Sequence, residues 1–226
     1  MCADWMSTGL DDADFAGDPS AGGSGLQRFW MPKGANKKIG FLTKGKDAAI
    51  IWEHQVKLNG NWRNWVPCVE PLGETCALCQ WAEENNEFKR YKGCYFIVVD
   101  MTPFEDKQGN KRVNERRLLC AKKDTAELIK RRYMDRLEEG EDLRGATFKV
   151  YRSSSDKSPS VGDDYQFGGM IDLDDLPDTE HPDWSEILKP DPERAKAVVA
   201  QLRRGRGMPD ESGKSEGPSD DHKVSY

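Results

Sequence analysis

The sequence has little from which to build an enzyme or a membrane protein. Histidine occurs only three times in 226 residues. There is no Ser/His/Asp set, no phosphate-cradling glycine loop and no credible pair of carboxylates, so the chain reads as a non-enzyme. No apolar run approaches the roughly 18 residues that a membrane helix needs. The start, Met1-Cys2-Ala3-Asp4-Trp5, lacks the basic and apolar stretches of a secretion signal, and a cytoplasmic location is expected. Hydrophobic residues are also scarce: 36%, with 33% charged, against globular norms of roughly 45% and 25%. Part of the chain therefore builds no core, and the length suits one domain of about 150 residues plus tails.

Cations are missing from the first 25 residues, which hold 5 Asp and no Lys or Arg. Residues 26–155 hold 25 Lys and Arg against 18 Asp and Glu, a net +7, and residues 156–226 hold 9 against 17, a net −8. The overall charge of −6 thus conceals a basic middle between acidic arms. That asymmetry fits a polyanion-binding core with acidic tails; a solvated surface with disordered tails would give the same counts.

Residues 1–25 are rich in Asp, Gly and Ser and read as a disordered acidic arm. Short strands are expected at Arg28–Met31 and Lys38–Leu42. A longer strand, Ala48–Leu58, is closed by the hairpin signal Asn59-Gly60 and returns over Asn61–Val66. A short helix is predicted over Glu83–Lys89. The nearly continuous apolar run Cys94–Val99 reads as a buried strand, followed by another at Arg112–Leu119. Asp124 and Glu127 signal the start of a helix and Gly140 its stop, with Leu128, Ile129, Met134 and Leu137 on one face. Ala146–Arg152 and Tyr165–Met170 supply the last strands. The core is taken to span 26–175, with 176–206 a linker carrying a helix near Pro192–Arg204 and 207–226 a disordered acidic tail. The fold class is mainly β with minor α: an OB-fold-like β-barrel with an embedded zinc subdomain around 54–94 and disordered termini. Strand spacing alone does not separate this barrel from an SH3-like barrel or a sandwich.

Three of the six cysteines, Cys68, Cys76 and Cys79, lie within twelve residues, and the last two have Cys-x2-Cys spacing. With His54 upstream they make a candidate four-ligand site for Zn²⁺, whose preferred ligands are thiolate and imidazole. Four protein ligands leave no open position, so the ion would be structural. Its net negative charge could be offset by Lys57 or Arg63. Cys94 is the reserve ligand should His54 face elsewhere. The competing readings are plain reduced cysteines or a redox pair; a disulfide scaffold is disfavoured by the expected compartment. The hairpin sets a condition. A two-residue turn at Asn59-Gly60 would place His54 opposite Trp65 and put Cys68 on the other face. The site then requires Pro67 to turn the chain, or a bulge to shift the register.

Five of the seven tryptophans fall between Trp30 and Trp81, interleaved with Lys37, Lys38, Lys44, Lys57 and Arg63. Cations neutralise phosphates, and exposed rings stack on unpaired bases, so this mixture suits single-stranded nucleic acid. Core packing is the rival role for any one ring. A zinc-ribbon interaction module of a replication or transcription complex, with Trp62 and Trp65 forming a protein interface, is the alternative reading.

Arg28-Phe29-Trp30-Met31, Trp52-Glu53-His54-Gln55, the Cys68…Cys76-Ala77-Leu78-Cys79 cluster and the acidic tail together resemble the bacteriophage single-stranded DNA-binding proteins, over roughly 26–175. The resemblance implies an OB-fold with one zinc on His54, Cys68, Cys76 and Cys79. It implies coating of single-stranded DNA during replication, recombination and repair, self-association on the strand, and recruitment of replication proteins through the tail. Strand contacts would come from barrel-face residues: Arg28, Trp30, Lys37, Lys38, Lys44, Trp62, Arg63, Trp65, Tyr91, Tyr95, Arg112 and Tyr151. Two departures stand out: Lys223 interrupts the tail, and the N-terminal arm is acidic where some relatives are basic.

Overall fold

A computed structural model describes residues 6–8, 10, 26–105, 109–176 and 178–206. Most of the acidic arm, Cys2 and the tail at 207–226 lie outside these. The fold is mainly antiparallel β. Strands β1 (Ser7–Thr8), β2 (Asn36–Phe41), β3 (Ala49–Leu58), β4 (Asn61–Pro67) and β5 (Tyr91–Asp100) precede a small separate hairpin, β6 (Phe104–Glu105) with β7 (Lys111–Arg112). Then come β8 (Glu115–Ala121), β9 (Ala146–Tyr151) and β10 (Asp164–Met170). The helices are α1 (Ala77–Asn85), α2 (Lys123–Glu138), the single turn α3 (Trp184–Ile187) and α4 (Pro192–Gly205).

The main sheet runs β1-β3-β5-β2-β9-β10, with β4 added to β3 and β8 to β5. Among the described residues it does not close into the expected barrel, because β8 and β10 do not pair. The segment expected as a strand at 28–31 lies between them instead. Leu118 N–H donates to Gln27 O at 3.0 Å, Phe29 N–H to Leu118 O at 2.9 Å and Met31 N–H to Ser160 O at 2.9 Å. The arm also joins the fold where it is described: Ser7 pairs with Ile50, and Leu10 is buried.

Strand β5 explains its unbroken apolar run. Cys94, Phe96 and Val98 face one core, and Tyr95, Ile97 and Val99 face another, so the period of two is hidden by burial on both sides. In the first core Phe41 meets Phe96 and Phe148 edge-on at 5.4 and 5.6 Å, under Ala126, Ile129 and Tyr133 of α2. That stripe differs from the expected one: Met134 and Leu137 are exposed, Met134 about a quarter-turn off the 126/129/133 line and Leu137 close to the line but in the last turn of the helix. Asp124 lies inside the first turn rather than capping it, while Gly140, at φ 78°, does end the helix.

The second core is roofed by residues 171–188. Trp184 and Leu188 are buried there, and Trp184 Nε1–H donates to Asp47 O at 2.8 Å. Beside Trp184, His181 presents its ring edge-on at 4.9 Å, and its Nε2 is buried without a hydrogen-bond partner among the described residues. Burial, reinforced by Arg144 and Arg116, holds its imidazole below the ordinary value against the pull of the Pro182 backbone and Asp47. A base depressed in the folded state contributes stability above its unfolded pKa of about 6.5 that is lost as pH falls. The melting temperature should therefore fall between about pH 7 and 5.5, and His181→Gln should remove part of that fall. An unchanged pH profile in the variant would refute this origin.

The third core belongs to the β3–β4 hairpin and the cysteines. Val56, Val66, Leu78 and Trp81 pack with Ala195, Val198, Val199 and Leu202 of α4. The stretch read as a linker is thus structural in both halves. Its helix matches the expected bounds, capped by Asp191, whose side chain accepts from Glu193 and Arg194 N–H.

A buried polar group sits among Glu53, Tyr91, Tyr95 and Arg28. Tyr91 Oη–H donates to Glu53 Oε1 at 3.2 Å, Tyr95 also donates to Oε1, and Arg28 Nη2–H donates to Tyr95 Oη at 3.0 Å. The Arg28 guanidinium lies 4.4 Å from the centre of the Trp65 ring and 4.0 Å from Glu53 Oε2. Burial pushes the Glu53 carboxyl up to about 8, against the pull of Arg28 and Tyr95.

Candidate metal centre and nucleic-acid surface

The hairpin meets the condition set by its sequence. Asn59 and Gly60 adopt positive φ (49° and 77°), as the turn demands. Beyond the turn Leu58 pairs with Asn61 but Val56 with Asn64, so β4 carries one extra residue. The bulge moves the register by one: Gln55 faces Trp65, His54 faces Val66, and Cys68 N–H donates to Trp52 O at 2.8 Å. Cys68 then lies on the His54 face.

The other two sulfurs come from the start of α1. The helix spans 77–85 rather than 83–89, because Leu78, Cys79, Trp81 and Ala82 form its buried side and Asn86, at φ 53°, ends it. Cys76 is its N-cap and Cys79 lies in its first turn, which brings both sulfurs to one end of the helix.

His54, Cys68, Cys76 and Cys79 offer ligand atoms all within 4.8 Å of one another. Cys68 and Cys79 sulfurs are 3.6 Å apart, and His54 Nε2 is 3.6 Å from Cys76 and 3.4 Å from Cys79. Ligand bonds of about 2.3 Å to sulfur and 2.0–2.1 Å to nitrogen give tetrahedral edges of about 3.8 and 3.6 Å. The three distances above are close to these edges, and the cluster's cysteines are unpaired thiols. It can hold a metal ion. Cys94 is buried in the first core and plays no part.

Neighbours complete the site. His54 Nδ1 lies 2.7 Å from Phe88 O; a carbonyl only accepts, so Nδ1 carries a hydrogen in either charge state, and Nε2 is the atom turned to the cluster, free to ligate once its proton leaves. Phe88 sits at φ 54°, a conformation costly for a side-chain-bearing residue. Arg90 Nη1 lies 3.8 Å from Cys68 Sγ and also pairs with Glu70. Among the described side chains it is thus Arg90, rather than Lys57, that faces the sulfur charge. Burial pulls the His54 imidazole down, but hydrogen bonds to Cys68, Cys76 and the Phe88 carbonyl outweigh it and raise it to about 9. Hydrogen bonds from Cys68 and Cys79 hold the Cys76 thiol far below its ordinary value despite burial. Negative sulfur beside a protonated imidazole is the charge pattern in which a divalent cation displaces protons.

The twelve candidate strand contacts separate into groups. Trp30, Trp62 and Tyr151 are 56%, 50% and 39% exposed, and each can present a ring face. Trp62 stands edge-on to Phe88 at 6.0 Å, with Lys57 Nζ 5.8 Å from its centre. Lys38, Lys44 and Arg112 are exposed. On the sheet, Lys38 pairs with Lys149 and Asn36 with Tyr151, so two cations and one ring share a surface. Lys149 was not singled out from the sequence, although Phe148-in, Lys149-out, Val150-in, Tyr151-out is a plain alternation. Tyr91 and Tyr95 are corrections: both are fully buried with their hydroxyls directed at Glu53, and neither can stack on a base. Arg28, only 14% exposed, is held by the same group, and Trp65 is half-buried over it. Lys37 is engaged with Asp100 and lies near the Phe29 ring. The Arg63 side chain lies outside the described residues.

Fold and cluster define a class: a mainly antiparallel β protein with a buried Cys₃His cluster able to hold a metal ion. No protein-family model matches the chain, and no curated protein or solved structure matches it. Among the described residues no helix is long and apolar enough to cross a membrane.

Proposed function

We propose that this chain is a non-enzymatic single-stranded DNA-binding protein of the bacteriophage type, with one structural Zn²⁺ on His54, Cys68, Cys76 and Cys79. The observation that carries the reading is the pairing of exposed rings with cations: Trp62 with Lys57, and Tyr151 beside Lys149 and Lys38. Such a surface neutralises phosphates and stacks bases without reading their edges. Three thiolates and an imidazole favour Zn²⁺, and a saturated tetrahedron gives it a bracing role. An OB-fold-like barrel is supported by the order of β2/β3, β5, β8, α2, β9 and β10, with 27–31 filling the seam. The biological role follows as coating and protecting single strands in the host cytoplasm during phage replication, recombination and repair, with 207–226 recruiting partners.

The test is a titration of tryptophan fluorescence with a single-stranded oligonucleotide, with and without a zinc chelator. Quenching is expected, with affinity falling at least about tenfold between roughly 50 and 200 mM salt. Trp62→Ala should cost about 1–3 kcal/mol of binding. Equal or tighter binding to duplex DNA would overturn the reading. Stoichiometric zinc without strand binding would favour the interaction module instead.

A further inference from the structure

The roof over the second core is uneven. Residues 171–188 carry seven carboxylates and no Lys or Arg. Its ends are fastened: Ile171 N–H donates to Gly145 O at 2.8 Å, and at the far end Trp184 and Leu188 are buried. Between them, residues 178–183 bury no side chain. Two arginines tether this stretch. Arg116 Nη1–H donates to Asp178 Oδ1 at 2.5 Å and to Glu180 O at 3.0 Å, while Arg144 Nη2–H donates to Thr179 O at 3.3 Å. Arg144 is itself fixed by Nη1 on Leu42 O at 2.9 Å. Arg116 Nε is buried with no hydrogen-bond partner among the described residues. A guanidinium cannot shed its charge, and carbonyls plus one exposed carboxylate satisfy it incompletely.

We infer that Arg116 and Arg144 form a masked anion site, and that residues 178–183 are an acidic strap which a nucleic-acid phosphate displaces. The inference rests on the strand-binding reading and adds two cations and a brake to it. Displacement costs little burial: the strap gives up its polar interactions and the edge-on contact of the half-buried His181 with Trp184, whereas its anchored ends stay in place. A phosphate offers several acceptor oxygens where the strap offers Arg116 one carboxylate, and it fits the guanidinium fork. Asp178 thus acts as an internal competitor for the strand.

The experiment uses the full chain and a single-stranded oligonucleotide at several salt concentrations. Asp178→Asn should tighten binding severalfold. Arg116→Ala should weaken it and lower the salt slope by about 0.7, the share of a single neutralised phosphate on a single strand. In an Arg116→Ala background, Asp178→Asn should have no further effect. If Trp62→Ala weakens binding but Asp178→Asn changes neither affinity nor slope, the strap is refuted and the strand-binding reading stands. If Asp178→Asn tightens binding equally without Arg116, general charge repulsion replaces the masked site. A wild-type chain that binds no strand refutes both.

Discussion

Inserting one alanine between Pro67 and Cys68 is expected to abolish metal binding, although no ligand is changed. The extra residue of β4 lies between the Leu58–Asn61 and Val56–Asn64 pairs, and beyond it Glu53 faces Pro67 and Cys68 N–H donates to Trp52 O. An inserted residue would take the position opposite Trp52, and because side chains alternate across a strand, Cys68 would then point away from His54. Losing one of four ligands forfeits much of the free energy a structural metal returns to folding, about 10–16 kcal/mol in small zinc peptides. Deleting Arg63 instead closes the bulge while Val56 still faces Asn64 and His54 still faces Val66, so it should keep the metal. Metal stoichiometry of the purified proteins, with thiol counting, separates the two. One metal per chain in the insertion variant would show that the strand register does not set the site.

The second large effect concerns the buried polar group, where the two partners are not equivalent. Glu53→Leu leaves the Arg28 guanidinium with its charge and without its carboxyl neighbour. Stranding one partner of a buried pair costs about 3–5 kcal/mol. Arg28→Met leaves a carboxyl already raised to about 8 by burial, which can simply stay protonated. Its cost should be nearer the about 1–3 kcal/mol of a lost hydrogen bond to a charged group. Urea unfolding of both variants at about pH 9, where the wild-type carboxyl is ionised, tests the order: Glu53→Leu should be the less stable. The reverse order would mean that Arg28 escapes to solvent and that packing on Trp65 dominates.

Local signals placed much of this fold. Asn59-Gly60, the β5 run and Gly140 each act through their own backbone or nearest neighbours, and the elements they mark lie where those signals put them. The ligand set was legible for a similar reason: thiolates and imidazole in one short span have few other uses. What stayed hidden depended on distant partners. Tyr91 and Tyr95 look like stacking rings until Glu53 and Arg28 meet them. The fastening of 171–188 across the sheet depends on Asp47 and Gly145, far away in the chain. The start of α1 was missed because a Cys-x2-Cys read as a knuckle masks a helical stripe through Leu78, Trp81 and Ala82. The bulge could be stated only as a requirement, since an extra residue in β4 leaves no mark on composition.

The seat of α4 on the metal unit has a consequence for how the chain is made. All four ligands leave the ribosome more than 110 residues before Pro192 does, an interval of roughly 6–23 s at ordinary synthesis rates of about 5–20 residues per second. During that time Leu78 and Trp81 lack the cover they finally receive. A metal captured by the nascent hairpin and α1 would hold their geometry until the last helix arrives. The ion would then serve as a placeholder in synthesis as much as a brace in the finished molecule.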